Sequence, residues 1–350
     1  MAKKGSSYAT LYRKYRPQSF TEVRGQPQVT ETLEKAIKNK KIAHAYLFSG
    51  SRGTGKTSVA RILAKELGVS EKDLYEIDAA SNRGIDDIRL LREGVYAMPF
   101  ESPYKFYIID EAHMLTKDAW NAFLKTLEEP PAHAIFVLAT TERDKIPETI
   151  QSRCEIYSFK QPTREMLAEI VEGVAKKEGF TLERSASELI ALLAEGSFRD
   201  ALGILQKVLA VSENKNVEVA EVEAVTGAPR GELVRALLEG IAKKDASAAL
   251  KAIQTAVSEN MDARTLAKLL IHRMRVVLLM RYAPDLGDSL ARELSDSDVA
   301  LARSLVKESG VNSDTLRALL AAYGTMAYAA LPHLPLELAI VEICSSKGSV

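Results

Sequence analysis

The 350-residue sequence has little cysteine, no long hydrophobic run and no net charge. Its two cysteines, Cys154 and Cys344, are too few for a disulfide framework or a zinc cluster, and they suit a reducing compartment. No stretch approaches the roughly eighteen uncharged apolar residues of a membrane helix, and the start, MAKKGSSYAT, lacks the apolar core of a signal peptide. We therefore expect a cytoplasmic protein with no membrane role and no structural zinc.

The charge is balanced over the whole chain but not along it. Lysine plus arginine number 47, as do aspartate plus glutamate, so the total charge gives no sign of nucleic-acid binding. Residues 1–57, however, contain twelve basic residues and only three acidic ones. This surplus is either solvated surface or a face for phosphates, and composition alone leaves both open.

The pattern of apolar residues predicts three domains. Between Ala45 and Phe159, helical stretches alternate with five short apolar runs: AYLFS, LYEIDA, KFYIID, AIFVLAT and CEIYSF. This alternation predicts an α/β core at 1–161 with a parallel sheet and helices on its faces. After KQPTREM we expect no further strands, so a small helical domain at 162–227 precedes an all-helical domain at 228–345. The last begins with a helix that places four apolar side chains on one face: Leu233, Leu237, Leu238 and Ile241.

A glycine-rich stretch lies between the first predicted strand and a helix. It matches G-x-x-x-x-G-K-[ST] and extends to Ser58: Gly50, Ser51, Arg52, Gly53, Thr54, Gly55, Lys56, Thr57 and Ser58. Glycines here could serve only a tight turn. At a strand-to-helix junction, however, backbone N–H groups and the helix N-terminus would surround an anionic phosphate chain. We expect an NTP-binding loop in which Lys56 contacts the β- and γ-phosphates and Thr57 binds Mg²⁺.

A second acidic motif, KFYIIDEAH, fits the metal and water chemistry of such a site. The apolar strand delivers Asp110 and Glu111 at its carboxyl end, where ligands of open α/β sheets bind. We expect Asp110 to support the Mg²⁺ shell and Glu111 to act as general base or water-orienting group. The alternative is a carboxylate pair that caps the following helix. We assign no role to His113, because a lone histidine at a helix start is more often structural.

Three further residues have spacing suited to a nucleotide. In VLATTERDKIPETIQSRCEIYSF, Thr141 follows a strand and could contact the γ-phosphate or the attacking water. Arg153 ends the next helix, where a solvated arginine that complements the helix dipole is an equal alternative. GSFRDAL places Arg199 one turn into a helix that Ser197 and Asp200 could cap, so Arg199 could reach a nucleotide bound by the first domain.

Six segments together resemble a known family: YRKYRPQSFTEVRGQ, HAYLFSGSRGTGKTSVARILAK, EIDAASNRGIDDIR, IIDEAHMLTKDAWNAFLKTLEEPP, LATTERDKIPETIQSRC and GSFRDAL. They are similar, in family order, to the gamma/tau subunits of bacterial DNA polymerase III, the AAA+ ATPases of the replicative clamp loader. The resemblance implies an ATPase domain, a helical lid and a helical collar that forms a ring with other subunits. It makes Arg153 an arginine finger for a neighbouring subunit's ATP and Arg199 a lid arginine that senses its own.

The resemblance also implies a function and partners. It predicts ATP hydrolysis with Mg²⁺ that drives loading of a sliding clamp onto primer–template DNA during replication, with no polymerase active site. Partners would be the other clamp-loader subunits in a hetero-oligomer, the clamp and the DNA.

The sequence departs from the family pattern twice. ELGVSEKDLYEIDAAS crosses the interval where members commonly carry a four-cysteine zinc module and contains no cysteine. The chain ends soon after the collar, at ELAIVEICSSKGSV, without the long extension of the tau form. These departures indicate a gamma-like short form, or a shortened tau, without zinc.

Two other classes share some of these motifs. An AAA+ unfoldase or helicase motor would keep the ATPase residues, but unfoldases usually place an aromatic residue, an apolar residue and glycine in the loop after the second strand. Here that loop reads Ser81, Asn82, Arg83 and Gly84, which suits a phosphate backbone better. Arg83 and Arg89 are therefore candidate DNA contacts, with ordinary surface charge as the alternative. A nucleotide-free scaffold is disfavoured by the intact phosphate-loop and acidic residues.

Overall fold

Five parallel strands form the sheet predicted from the apolar runs. They are β1 Ala45–Ser49, β2 Leu74–Asp78, β3 Lys105–Asp110, β4 Ala134–Thr140 and β5 Glu155–Ser158, in the spatial order β2-β3-β4-β1-β5. The registers are parallel throughout, for example Ser49 opposite Thr140 and Asp78 opposite Asp110. Strands β1 and β4 are buried along their whole length, as expected for central strands covered on both faces. The carboxyl ends of β1, β3 and β4 therefore meet at one edge.

The computed structural model describes residues 10–82, 84–291 and 294–345, without the side chains of residues 85, 87 and 89. It divides into two compact units, one of residues 1–167 and 194–203 and the other of residues 168–193 and 204–350. The division falls within two helices, α7 Arg164–Lys177 and α9 Phe198–Val211. The three-domain division at 161 and 227 stays a proposal.

Helices cover both faces of the sheet in the first unit. They are α1 Leu11–Lys14, α2 Pro27–Lys38, α3 Lys56–Glu66, α4 Ile85–Tyr96, α5 Lys117–Glu128 and α6 Glu148–Gln151. Because side chains alternate along a strand, β3 and β4 contribute to two separate cores. Ile109 and Phe136 lie in the cluster with Phe123 of α5, whereas Ile108 and Val137 lie in the cluster with Leu63 of α3.

Asp73 anchors the loop that precedes β3. Its buried carboxylate accepts hydrogen bonds from the backbone N–H groups of Phe100, Glu101 and Ser102, at 2.6, 2.9 and 2.9 Å. Burial alone would raise the pKa of Asp73, but the hydrogen bonds from these residues outweigh it and lower the pKa to about 2. The carboxylate is therefore ionised at neutral pH and holds this loop on the first unit.

The second unit is mainly helical, with one departure from the sequence prediction. Strands were expected to stop after residue 162, yet β6 Thr181–Leu182 and β7 Asn216–Val217 pair in parallel. The prediction was wrong because two-residue strands are too short to show any alternation. The remaining helices are α8 Arg184–Leu193, α10 Val219–Thr226, α11 Gly231–Ala242, α12 Ala246–Ser258, α13 Ala263–Tyr282, α14 Pro284–Ala291, α15 Asp296–Leu305, α16 Ser313–Thr325 and α17 Leu334–Ser345.

The apolar face predicted for α11 is confirmed, since Leu237, Leu238 and Ile241 are buried and Leu233 is partly buried. Within the described residues, no helix combines the length and apolarity needed to cross a bilayer.

Candidate nucleotide-binding site

The glycine-rich loop occupies the junction between β1 and α3, as its spacing predicts. β1 ends at Ser49 and α3 begins at Lys56. Gly53 has φ +73°, and a Cβ built on it would lie 1.9 Å from Ser197 Oγ, so only glycine fits there. Gly55 caps α3 with φ +102°, and no atom lies within 4 Å of its Cβ direction. The loop is therefore closed on one side by residue 197 and open beside the N-terminus of α3.

Lys56 lies inside the loop. Its side chain is buried, and Nζ donates to the carbonyl oxygens of Gly50 and Ser51 at 2.7 and 2.9 Å. Burial lowers the pKa of Lys56, while the nearby carboxylates of Glu111 and Asp110 raise it in part. An ammonium held in this loop next to the start of a helix is a strong anion-binding element.

Thr57 and Asp110 form the pair that the sequence assigns to a metal. Thr57 Oγ1 donates to Asp110 Oδ2 at 2.8 Å, which joins the first turn of α3 to the end of β3. The second oxygen, Asp110 Oδ1, accepts the backbone N–H of Glu111 at 3.0 Å. A hydroxyl and a carboxylate at this spacing are oxygen ligands of the kind that Mg²⁺ prefers.

Glu111 turns sharply away from the strand. Its φ of +47° is in the left-handed region, which costs energy for a residue with a side chain. Its Oε2 accepts the Thr141 hydroxyl at 3.3 Å and lies 3.5 Å from His113 Nδ1. The structure therefore brings the predicted pair Glu111 and Thr141 together, and it adds His113, to which the sequence assigned no role.

The start of α9 packs against the phosphate loop. The backbone N–H of Phe198 donates to the Gly53 carbonyl at 3.0 Å, and the predicted cap is present because Ser197 Oγ accepts the N–H of Asp200 at 3.2 Å. Arg199 was expected one turn into the helix, but it is the second residue of α9. Its guanidinium carbon lies 5.0 Å from the centre of the Tyr12 ring. Arg199 therefore follows Phe198, whose backbone N–H is hydrogen-bonded to the phosphate loop.

Arg153 is bound away from the loop. Arg153 was expected to end the helix, but α6 ends at Gln151, two residues earlier. Its guanidinium donates to Glu128 Oε1 at 2.8 Å and to the Thr149 carbonyl at 2.7 Å. Both partners of this ion pair are partly exposed, at 33% and 43%, so the pair contributes about 1 kcal/mol or less. Releasing Arg153 from Glu128 therefore costs little.

The candidate DNA contacts lie outside the described residues. This holds for Arg83 as a whole and for the side chain of Arg89 on α4. Within the described ranges, no group of three or more His, Cys, Asp or Glu residues is arranged to hold a metal ion. Cys154 and Cys344 are free thiols, and burial raises the pKa of Cys154 to about 12.

Sequence reasoning missed two residues that support the site. Gln26 is fully buried, and its amide exchanges hydrogen bonds with the backbone of Lys160 at 2.7 and 3.0 Å. The same amide reaches the Thr54 carbonyl at 3.5 Å. Gln26 ends the segment YRKYRPQSFTEVRGQ and His113 ends KFYIIDEAH, but the contacts that give them a part in the site are with residues distant in sequence.

The residues present fit a nucleoside triphosphate with Mg²⁺. Among the described residues, the Ser51 hydroxyl is buried without a hydrogen-bond partner, and it lies in the loop whose N–H groups flank Lys56. An unpaired buried hydroxyl is costly in the folded protein and is satisfied when a polar ligand binds. The open space at Gly55 adjoins the same helix N-terminus.

Comparison with known proteins supports the fold of the first unit. A family profile described as "DNA polymerase III, delta subunit" matches residues 25–82 and 68–163. The chain is 24% identical to the Thermotoga maritima RuvB Holliday junction branch migration motor, with a TM-score of 0.52 over 65% of this chain and 79% of that one. This likeness shows that the chain shares its parallel-sheet fold with that protein.

Similarity to named proteins covers nearly the whole chain. It is 37% identical to DNA polymerase III subunit tau of Bacillus subtilis, over 97% of this chain and 64% of that protein. It is 36% identical to subunit gamma/tau of Mycobacterium bovis, over 97% of this chain and 63% of that protein. The chain thus spans a little under two thirds of these relatives' length. By this similarity, the chain belongs to the family of bacterial DNA polymerase III gamma/tau subunits.

Proposed function

We propose that this chain is the ATPase subunit of a replicative clamp loader. In this proposal, ATP binding and hydrolysis drive the opening of a sliding clamp and its loading onto primer–template DNA. The observation that carries the proposal is the joined arrangement of Lys56, Thr57, Asp110 and Glu111 at the carboxyl ends of β1 and β3. The names of the curated relatives support the assignment to DNA polymerase III.

Nucleotide binding would use the loop as it is built. Lys56 would exchange its bonds to loop carbonyls for the β- and γ-phosphates, and the N–H groups of residues 50–58 would surround the phosphate chain. Thr57 and Asp110 would hold Mg²⁺, directly or through water. The ion would neutralise charge that develops on the phosphates.

Hydrolysis would depend on Glu111 and Thr141. Both lie at the same edge of the sheet and are joined by a hydrogen bond, so they can orient one water from two sides. A positioned base of this type contributes about 10²–10⁴ in rate. Thr141 would in addition contact the γ-phosphate, which makes this hydroxyl sensitive to whether the phosphate is present.

Two arginines would connect the nucleotide to the assembly. Arg199 lies beside Phe198, which is bonded to the loop, so it would contact the nucleotide of its own chain. Arg153 is bound to Glu128 rather than to the loop, which supports a role toward a neighbouring subunit. An arginine finger contributes about 10³–10⁵ to turnover. In a hetero-oligomer, the contact of Arg199 with its own nucleotide and that of Arg153 with the neighbour's nucleotide would arrange the subunits in a spiral. This spiral would bind an open clamp.

ATP hydrolysis would end the loading cycle, because it removes the contacts of the protein with the γ-phosphate. DNA that enters the spiral would align Glu111 with the neighbour's Arg153, and hydrolysis would release the clamp closed on the DNA. The partners of the chain in this proposal are the other clamp-loader subunits, the sliding clamp and primer–template DNA. Arg83 and Arg89 stay candidate DNA contacts.

The proposal is tested by ATPase assay of the assembled protein with and without primer–template DNA and clamp. We expect turnover that requires Mg²⁺ and rises when both are added. Glu111→Gln should bind ATP normally and hydrolyse it at least 100-fold more slowly, as expected when the group that orients water is lost. Stimulation by an unfolded polypeptide in place of DNA and clamp would instead favour an unfoldase motor. Wild-type turnover in Glu111→Gln would contradict the site assignment.

A further inference from the structure

The side chain of His113 is buried beside the site. The function proposed above assigns this residue no role. It lies in the short 3-10 helix Ala112–Met114 that follows β3, and its side chain is 7% exposed. Nδ1 is 3.0 Å from Thr140 Oγ1, and Nε2 is 3.3 Å from Glu142 Oε1. The ring therefore lies between the end of β3 and the end of β4.

The partners of the ring determine how it is held. Nε2 faces the Glu142 carboxylate, and Nδ1 faces the Thr140 hydroxyl, which can both donate and accept. Thr140 Oγ1 already accepts the backbone N–H of Glu142 at 3.0 Å and has further bonding capacity for Nδ1. Whichever of Nδ1 and Thr140 Oγ1 donates, both ring nitrogens are engaged. The orientation of the ring is thus fixed by residues 140–142.

The same ring bounds the side chain of Glu111. Glu111 Oε2 lies between the Thr141 hydroxyl, at 3.3 Å, and His113 Nδ1, at 3.5 Å. The Glu111 side chain is 35% exposed, and a carboxylate on a flexible stem samples several rotamers unless neighbours restrict it. The left-handed backbone of Glu111 sets the direction in which its side chain leaves the strand, and these two neighbours restrict the rotamers of the carboxylate.

We propose that His113 is a positioning residue that fixes the orientation of the Glu111 carboxylate relative to Thr141. This inference rests on the proposed ATPase function, and it deepens the description of the same site. His113 acts through Glu111, since its polar contacts are with Thr140, Glu142 and Glu111. Its removal therefore lowers kcat and leaves nucleotide affinity nearly unchanged.

The test uses His113→Ala, His113→Asn and a matched control, His133→Gln. His133 directly precedes β4, and its Nε2 lies 2.9 Å from the Val95 carbonyl oxygen. The control therefore removes a histidine ring at the start of β4, whereas His113 contacts the end of β4. Affinity is measured with a fluorescent ATP analogue on the full chain, and kcat is measured in the assembled complex. Trp120 fluorescence monitors folding of each variant.

His113→Ala should reduce kcat roughly 10- to 100-fold, as expected for misplacement of a reacting group, with affinity changed less than about twofold. His113→Asn should recover part of the loss, because its amide can reach Thr140 near the position of Nδ1. His133→Gln should retain wild-type kcat. If His113→Ala does not fold, the outcome is read from His113→Asn, which should then fall between the wild type and Glu111→Gln.

The double variant His113→Ala/Glu111→Gln distinguishes failure of the positioning role of His113 from failure of the proposed ATPase function. If His113 acts through Glu111, the double variant is no slower than Glu111→Gln alone. Wild-type kcat in a folded His113→Ala, or losses that multiply in the double variant, would overturn the positioning role. If His113→Ala does not fold, wild-type kcat in His113→Asn would overturn it. Wild-type turnover in Glu111→Gln would overturn the proposed function itself.

Discussion

Gly53→Ala tests how the start of α9 contacts the phosphate loop. The new Cβ would lie 1.9 Å from Ser197 Oγ and 2.8 Å from Ser197 Cβ, in a backbone region with φ +73°. Alanine in this region costs about 1–2 kcal/mol, and forcing a methyl group into packed atoms costs about 1–3 kcal/mol more. We expect Gly53→Ala to lower the free energy of unfolding of the first unit by about 2–5 kcal/mol.

Gly68 supplies a matched control. Its φ of +76° is nearly the same, but no atom lies within 4 Å of the added Cβ. Gly68→Ala should therefore show the backbone cost alone, about 1–2 kcal/mol. Ser197→Gly should relieve the clash in the double variant Gly53→Ala/Ser197→Gly, because replacing an N-cap serine by glycine costs only a few tenths of a kcal/mol.

The chain's single tryptophan makes the assay specific for the first unit. Trp120 lies on α5 in the core beside Phe123, at 5% exposure. Urea unfolding followed by its fluorescence should rank the variants as wild type, Gly68→Ala, the double variant and Gly53→Ala, from most to least stable. Stabilisation by ATP with Mg²⁺ should also be smallest in Gly53→Ala. Equal losses of unfolding free energy in Gly53→Ala and Gly68→Ala would refute the close contact between Gly53 and Ser197. So would a double variant that is no more stable than Gly53→Ala.

Three shorter predictions concern single side chains. Lys56→Ala should abolish tight ATP binding measured by titration calorimetry, because the ammonium contacts ground-state phosphates; affinity within twofold of wild type would contradict this. Arg199→Ala should weaken the ATP-dependent response of its own chain, seen as reduced stabilisation by ATP in thermal unfolding, and an unchanged response would place Arg199 elsewhere. Asp73→Asn should lower the free energy of unfolding at pH 7 by about 1.5–3 kcal/mol, since three N–H groups lose their ionised acceptor. Because the folded pKa of Asp73, about 2, is below the unfolded value of 3.8, its contribution is present above pH 4 and declines toward pH 2. Urea titrations at several pH values should show a steeper loss of stability between pH 4 and pH 2 in the wild type than in Asp73→Asn, which lacks this carboxylate.

Local patterns were sufficient to predict the sheet and the positions of the loop and of Asp110 within it. The five apolar runs coincide with β1 to β5, although only β1, β3 and β4 are almost wholly buried and β2 and β5 are partly exposed. The spacing from Gly50 to Thr57 located the loop, since the loop is contiguous in sequence. Asp110 ends the apolar strand β3, so its position at the edge of the sheet could be predicted from the same pattern.

Contacts between distant segments could not be predicted in this way. The ring of His113 is held by Thr140 and Glu142, which adjoin it only because β3 and β4 are neighbours in the sheet. Arg153 meets Glu128 because α5 and α6 pack together. Single-sequence periodicity carries no information about which strands or helices become neighbours.

The central claim is that the chain is an ATPase whose finger acts on the next subunit. The most direct test mixes Arg153→Ala chains with Glu111→Gln chains and follows DNA-stimulated ATPase activity. An interface that joins the intact finger of a Glu111→Gln chain to the intact Glu111 of an Arg153→Ala chain should recover activity that neither variant shows alone. No recovery in verified mixed assemblies, or full activity of monomeric wild-type chains at high dilution, would contradict the account.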